Sequence, residues 1–189
     1  MLMSIKLNKA LFLDRDGVVI NYIPYLSKPE QVTLPQGAGS ALYQWQKAGY
    51  HLILITNQAG VGRGYFSLTD VEAVHHCIAQ KYAEYGVTFD DIFLCPHHPD
   101  DGCDCRKPSP QMLKEAAEKH DIDLSSSYFL GDAPSDIEAA VQAGCQPLLV
   151  LTGRGKETLP LLSKYALNIP VFQQISDTLQ LLKKEVSFD

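Results

Sequence analysis

The stretch Leu11-Phe12-Leu13-Asp14-Arg15-Asp16-Gly17 sets three consecutive apolar residues directly before two carboxylates and a glycine. A short, continuously apolar run reads as a strand covered on both faces, as in a parallel sheet. The carboxylates then stand at the carboxyl end of that strand, where open α/β sheets bind their ligands. Gly17 permits a turn that lets Asp14 and Asp16, at i and i+2, reach one pocket. Taken alone, the same tetrad also fits a solvated Asp-Gly turn.

Working outward, Leu52 to Ile55, Ile92 to Leu94, Tyr128 to Leu130 and Leu148 to Leu151 repeat the apolar pattern, and Pro170 to Phe172 repeats it weakly. Helical spacing fills the intervals at Gly39 to Ala48, Thr69 to Tyr85, Pro110 to His120 and Asp136 to Ala143, with a last helix at Ile175 to Glu185. Thr69 and Glu72 have capping-box spacing. Ser109 before Pro110 fits an N-cap with proline in the first turn, and Gly144 fits a helix stop. This alternation predicts the α/β class: a doubly wound parallel sheet in three layers. No repeat or linker divides the chain, so residues 1–189 read as one domain.

The chain has 189 residues, 46% of them hydrophobic and 20% charged, which excludes disorder as the main state. Gly 13 and Pro 11 exclude collagen-like and low-complexity readings. A net charge of −6 lacks the broad basic field of nonspecific nucleic-acid binders, so no nucleic-acid partner is expected. Met1 to Lys9 shows no leader pattern, and no apolar run approaches the ~18 to 20 residues that cross a bilayer. The expected location is cytoplasmic, with no membrane partner. No heptad or exposed apolar helix is evident, and a monomer is expected.

The polar residues that follow the strands carry the chemistry. Thr56-Asn57-Gln58-Ala59-Gly60-Val61-Gly62-Arg63-Gly64 offers a hydroxyl, two amides and flexible backbone donors, a composition that suits phosphate. Arg106-Lys107-Pro108 places two cations before a helix, where they oppose its dipole unless an anion joins them. In Gly131-Asp132-Ala133-Pro134-Ser135-Asp136, Asp132 leaves a strand end, and Asp136 fits simple N-capping. If Asp14, Asp16 and Asp132 converge, their repulsion calls for a hard cation, and oxygen ligands beside a phosphate suit Mg²⁺. Thr56 and Lys107 complete a set able to stabilise a phosphoryl group's transition-state charge.

Three of the five cysteines lie within eleven residues, in Cys95-Pro96-His97-His98-Pro99 and Cys103-Asp104-Cys105. An odd cysteine count argues against a disulfide framework. Three thiolates and one imidazole suit tetrahedral Zn²⁺ with no open position, a structural role. Spacing alone leaves His97 and His98 both open as the fourth ligand. A zinc loop at about 95–105 runs straight into Arg106 and Lys107 and can position them. Cys77 and Cys145 read as buried hydrophobes, Trp45 as core, and His51, His75, His76 and His120 as surface or core residues.

Asp14-Arg15-Asp16-Gly17, Thr56-Asn57-Gln58, Arg106-Lys107-Pro108 and Gly131-Asp132 resemble the four motifs of the haloacid dehalogenase (HAD) superfamily of phosphohydrolases, from about Leu11 to Gly144. The zinc loop before Arg-Lys-Pro looks like one subgroup of it, the D-glycero-D-manno-heptose 1,7-bisphosphate phosphatases and the histidinol-phosphatases, and Cys-Pro-His-His-Pro looks most like the heptose enzymes. The resemblance implies a Rossmann-like HAD core without a large cap domain. It implies Asp14 as nucleophile through an aspartyl-phosphate, Asp16 as general acid and base, and Thr56 and Lys107 on the phosphoryl oxygens. Asn57, Gln58 and Arg106 are implied to face substrate. Mg²⁺ is implied on Asp14, Asp132 and the backbone carbonyl of Asp16, and Zn²⁺ on Cys95, His97, Cys103 and Cys105. The implied partner is a small sugar bisphosphate that loses its 7-phosphate on the way to the activated heptose of lipopolysaccharide or surface glycans.

The chain departs from the subgroup in two places. Val18-Val19-Ile20-Asn21 is one residue longer than usual before the asparagine, which puts the orientation of Asn21 in doubt, and Ala133 stands where some members carry lysine. Histidinol-phosphatase is the near rival reading. A polynucleotide 3′-phosphatase shares the Asp-x-Asp-Gly and Thr-Asn-Gln pattern, and a non-catalytic sugar-phosphate binding module is the blandest alternative.

Overall fold

A computed structural model describes residues 7–186, and side chains as far as Lys183. The segment read as leaderless therefore falls in part outside the described residues. Six strands form one parallel sheet: β1 (Lys9–Leu13), β2 (Tyr50–Asn57), β3 (Asp91–Cys95), β4 (Tyr128–Gly131), β5 (Gln146–Val150) and β6 (Val171–Phe172). Their spatial order is β3-β2-β1-β4-β5-β6. The chain winds outward in one direction from β1 to β3 and in the other from β4 to β6. The switch point thus lies between β1 and β4, where Leu11 pairs with Tyr128 and Leu13 with Leu130.

Both faces of the sheet are covered, which is why its central strands are apolar without alternation. Leu11, Leu13, Leu52 and Leu54 point to one face, where they join Leu42, Trp45, Val74 and Ile78 from α1 (Ala38–Lys47) and α3 (Leu68–Ala83). Phe12, Ile53, Ile55 and Phe129 point to the other and join Met112, Leu113, Ala139 and Ala140 from α4 (Gln111–Lys119) and α5 (Pro134–Ala143). Short α2 (Ala59–Gly62) and α6 (Gly155–Thr158) follow strand ends, and α7 (Leu179–Val186) closes the described chain. The three-layer, doubly wound reading holds. Among the described residues no helix is long and apolar enough to cross a membrane.

The sequence missed several details. The capping box of α3 is formed two residues before Thr69 and Glu72: Ser67 Oγ accepts from Asp70 N at 3.2 Å, and Asp70 Oδ2 accepts from Ser67 N at 2.7 Å. The helix starts at Leu68, so Thr69 already lies inside it, and Ser67, in extended backbone, and Asp70 meet the orphan donors reciprocally. Pro110 is itself the N-cap of α4, while Ser109 Oγ still accepts from Gln111 N at 3.2 Å. The expected helix at Ile175 begins as a 3₁₀ turn, Ile175–Thr178, before α7. Cys77 is only half-buried, its thiol donating to Pro29 O at 3.5 Å. The helix stop at Gly144 is as expected, with φ of 79°.

A buried polar contact helps tie the C-terminal segment to the core. The indole N–H of Trp45, fully buried, donates to Thr178 Oγ1 at 2.9 Å, and Thr178 donates in turn to Ile175 O at 2.6 Å. Thr178→Val keeps the shape but orphans the indole N–H. Urea unfolding of that variant is expected to show a loss of about 1–3 kcal/mol.

Candidate active site

The site gathers at the carboxyl ends of β1 and β4, on either side of the switch point. Asp14 continues from β1, its N–H bonded to Leu130 O at 3.0 Å, and Asp132 continues from β4. Asp132 sits in a tight backbone cradle. Arg154 N donates to its Oδ2 at 2.7 Å, and Thr158 Oγ1 donates to its carbonyl at 2.7 Å. Gly17 and Gly153, both at positive φ, press so closely on Asp132 Oδ2 that a Cβ on either would collide with it. The glycine after Asp16 therefore serves packing as well as the turn.

Lys107 is brought to this point from the loop before α4. Its buried ammonium donates to Asp14 Oδ1 at 2.8 Å and to Ile55 O at 2.8 Å, and pairs with Asp136 Oδ1 at 2.7 Å. Asp136 was expected only to cap α5. It does so through Oδ2, which accepts from Asp132 N at 3.2 Å and Ala133 N at 3.1 Å, and it also holds Lys107. The spacing of Asp136, four residues beyond Asp132, was the available signal for this second role. Lys107 has Asn57 as its other anchor. The Asn57 side chain accepts from Lys107 N at 3.0 Å and donates to Lys107 O at 3.1 Å, so its polar atoms are used to position the lysine.

One ammonium among three carboxylates leaves this buried centre short of positive charge. Burial pushes the Asp14 carboxyl well above the usual range, with Lys107 opposing and Asp136, Asp132 and Asp16 adding to the rise. Burial and then Asp136 push Asp132 up to about 7, against the Arg154 N–H and Lys107. Burial opposes the Lys107 charge, but Asp136 and Asp14 more than offset it and hold its pKa above the ordinary lysine value. Asp14, Asp132 and Asp136 each offer an oxygen, and these atoms lie within 4.8 Å of one another. Asp136 is taken up by Lys107 and the start of α5, so Asp14 and Asp132 are the carboxylates here that fit a hard divalent cation.

Asp16 points elsewhere. Arg15 Nε and Nη2 grip its two oxygens at 3.0 Å each, and Gln58 Nε2 donates to Oδ2 at 3.0 Å. Gln58 also donates to Thr56 Oγ1 at 2.8 Å, so Thr56 is buried beneath it. Arg15 was not singled out in the sequence, yet it is fully buried and lines the pocket. Asn21 donates to Thr33 Oγ1 at 2.9 Å and Leu34 O at 3.3 Å, pinning a loop. The pocket, about 280 Å³, is lined by Asp14, Asp16, Gln58, Arg106, Lys107 and Asp132 among others.

A second cluster lies where β3 ends. Cys95, His97, Cys103 and Cys105 each offer an atom within 4.8 Å of the rest. Cys95 Sγ is 3.5 Å from both His97 Nδ1 and Cys103 Sγ, and His97 Nδ1 is 3.2 Å from Cys105 Sγ. A tetrahedral zinc with Zn–S near 2.3 Å sets sulfurs about 3.8 Å apart, close to these separations. His98 is turned away, its Nδ1 accepting from Asp100 N at 3.2 Å. Of the two histidines, left open by spacing, His97 is the one whose ring nitrogen stands among the three thiols.

A family model described as HAD-hydrolase-like matches residues 104–177. D-glycero-β-D-manno-heptose-1,7-bisphosphate 7-phosphatase of Pseudomonas putida is 46% identical over 153 residues, 80% of this chain and 87% of that protein. The enzyme of the same name from Pseudomonas aeruginosa is 44% identical, covering 79% and 84%. A crystal structure of D,D-heptose 1,7-bisphosphate phosphatase from B. bronchiseptica, complexed with magnesium and phosphate, superposes with a TM-score of 0.86 at 37% identity, over 94% of this chain and 99% of that one. The chain belongs to the HAD-like hydrolases, in the family of the D-glycero-D-manno-heptose-1,7-bisphosphate 7-phosphatases.

The Arg15 grip on Asp16 has a pH-dependent neighbour. His75 Nε2 lies 3.5 Å from Arg15 Nη1. Burial, and then Arg15, hold the His75 imidazole down at about 4, against an ordinary 6.5. Between those values the unfolded chain binds the extra proton, so stability falls as pH drops through the window. Denaturation at pH 7 and at pH 4.5 is expected to show His75→Gln losing roughly 2–3 kcal/mol less than the native chain.

Proposed function

We propose that this chain hydrolyses the 7-phosphate of D-glycero-β-D-manno-heptose 1,7-bisphosphate, a step toward activated heptose for surface glycans. The observation that carries the reading is the buried Lys107, held between Asp14 and Asp136 beside Asp132 at the switch point of the sheet. That arrangement places one carboxylate against a cation suited to phosphoryl oxygens, in a chain whose relatives at 46% and 44% identity bear this activity in their names.

Asp14 attacks phosphorus in line, forming the acyl-phosphate bond as the P–O bond to C7 of the sugar breaks. Asp16 gives the leaving oxygen its proton, then takes one from the water that cleaves the aspartyl-phosphate. Arg15 donates to both oxygens of Asp16 and Gln58 to one of them, which fixes the orientation of the carboxyl group. Lys107 and the Thr56 hydroxyl hold the phosphoryl oxygens, and Gln58 orders Thr56 and Asp16 together. Arg106 faces the substrate from the pocket wall. Asp14, Asp132 and the backbone carbonyl of Asp16 would hold Mg²⁺, which when bound neutralises developing charge on the phosphoryl oxygens.

Cys95, His97, Cys103 and Cys105 would hold Zn²⁺ with no open position, a structural role. Their free thiols suit the reducing cytoplasm. The sugar bisphosphate is the partner we assign, and we read the chain as a monomer and a single domain without a large cap.

The test is phosphate release in Mg²⁺ from both anomers of the heptose bisphosphate, histidinol phosphate and a 3′-phosphorylated oligonucleotide. The β anomer is expected to lead the α anomer in kcat/KM by about tenfold and the other two by about a hundredfold or more. Faster turnover of histidinol phosphate or of the oligonucleotide would overturn the substrate assignment.

A further inference from the structure

A bisphosphate substrate brings two dianionic groups to one pocket, and only one of them meets Asp14 and Lys107. Of the four cations that line the pocket, two are committed. Arg15 is spent on Asp16, and Lys107 on Asp14 and Asp136. Arg106 and Arg154 remain, approaching from different strand ends: Arg106 from the loop that follows the thiol cluster, Arg154 from the turn between β5 and α6.

Arg154 has the features of a built receptor. Its backbone N–H is fixed to Asp132 Oδ2 at 2.7 Å, so the start of the side chain is located relative to the reacting centre. Gly153 beside it, at φ 55°, allows that close approach. The guanidinium is half-exposed at the pocket, and its charge is near enough to help hold Asp132 down. Its ion pair is a loose one, Nε to Glu157 Oε2 at 3.8 Å, with the carboxylate itself largely in solvent. That pairing engages the Nε side and leaves the terminal nitrogens for a ligand. The neighbouring lining residue, Ala133, brings no charge.

We propose that Arg154 is a specificity-determining residue which receives the phosphate that is not transferred, the 1-phosphate, on its terminal guanidinium nitrogens. This inference rests on the heptose bisphosphate reading and deepens it. A planar guanidinium matches a phosphate face with two parallel hydrogen bonds, and a lysine at the same place supplies charge without the fork. Because the contact is remote from phosphorus, it acts chiefly on binding, and so on KM more than on kcat.

The experiment compares heptose 1,7-bisphosphate with heptose 7-phosphate, substrates that differ only in the group Arg154 is assigned to hold. For the native enzyme the bisphosphate is preferred. In Arg154→Ala the ratio of kcat/KM for bisphosphate over 7-phosphate is expected to fall about tenfold, through KM, with partial recovery in Arg154→Lys. An equal loss on both substrates would mean that Arg154 acts only through Asp132 and its loop, and an unchanged ratio would mean no contact; either result overturns the inference. A native enzyme inert toward the bisphosphate, yet active on another phosphomonoester, overturns the substrate reading itself and this inference with it.

Discussion

Three carboxylates and one ammonium, taken out of water together, constrain everything around them. Lys107 reaches Asp14 and Asp136 at 2.8 and 2.7 Å although the three come from separate segments of the chain. Removing one member of a buried ion pair leaves an uncompensated charge and costs about 3–5 kcal/mol, so the cluster selects a single arrangement of those segments. The same charge balance explains why the site suits a hard cation and a phosphoryl group. The pocket walls supply cations, while its floor is short of them.

The scaffold is built to deliver that lysine. Asn57, at the end of β2, bonds both backbone polar groups of Lys107. The thiol cluster begins at Cys95, the last residue of β3, and ends one residue before Arg106. It is held to the Thr56–Gln58 segment as well: Gln58 N donates to Cys95 O and Gly62 N to Pro96 O, each at 2.8 Å. A Cβ at Gly62 would strike the backbone of His97 and His98, so the glycine-rich loop packs against the metal loop. Hydrogen bonds and close packing thus join both loops to each other, and Asn57 joins them to Lys107, which gives the cysteine–histidine set a physical link to the site.

The architecture was legible in the sequence because the central strands β1, β2 and β4 carry unbroken apolar runs that lead into polar residues, and burial on both faces demands such runs. The convergence of Asp14 and Asp132 was legible from their places directly after strands, while Lys107, in the loop before α4, was legible as a cation placed against a helix start. What escaped was what a side chain does once packed. Asp136 reads as a cap, and only the fold reveals that its second oxygen meets Lys107. Arg15, between two acids, drew no attention in the sequence, yet it is fully buried with His75 of α3 beside it. Asn57, implied as a substrate contact, lines the pocket and also bonds both backbone polar groups of Lys107, a role its sequence position does not reveal. Arg154 lies outside every motif, and its backbone contact with Asp132 spans 22 residues.

The assignment of Asp14 as nucleophile can be examined at the atom that does the work. Borohydride applied during turnover of the heptose bisphosphate reduces an acyl phosphate to an alcohol, and peptide mass spectrometry then locates the altered residue. The account predicts homoserine in place of Asp14, formed only when substrate is present. Reduction at another carboxylate, or none while phosphate is still being released, would contradict it.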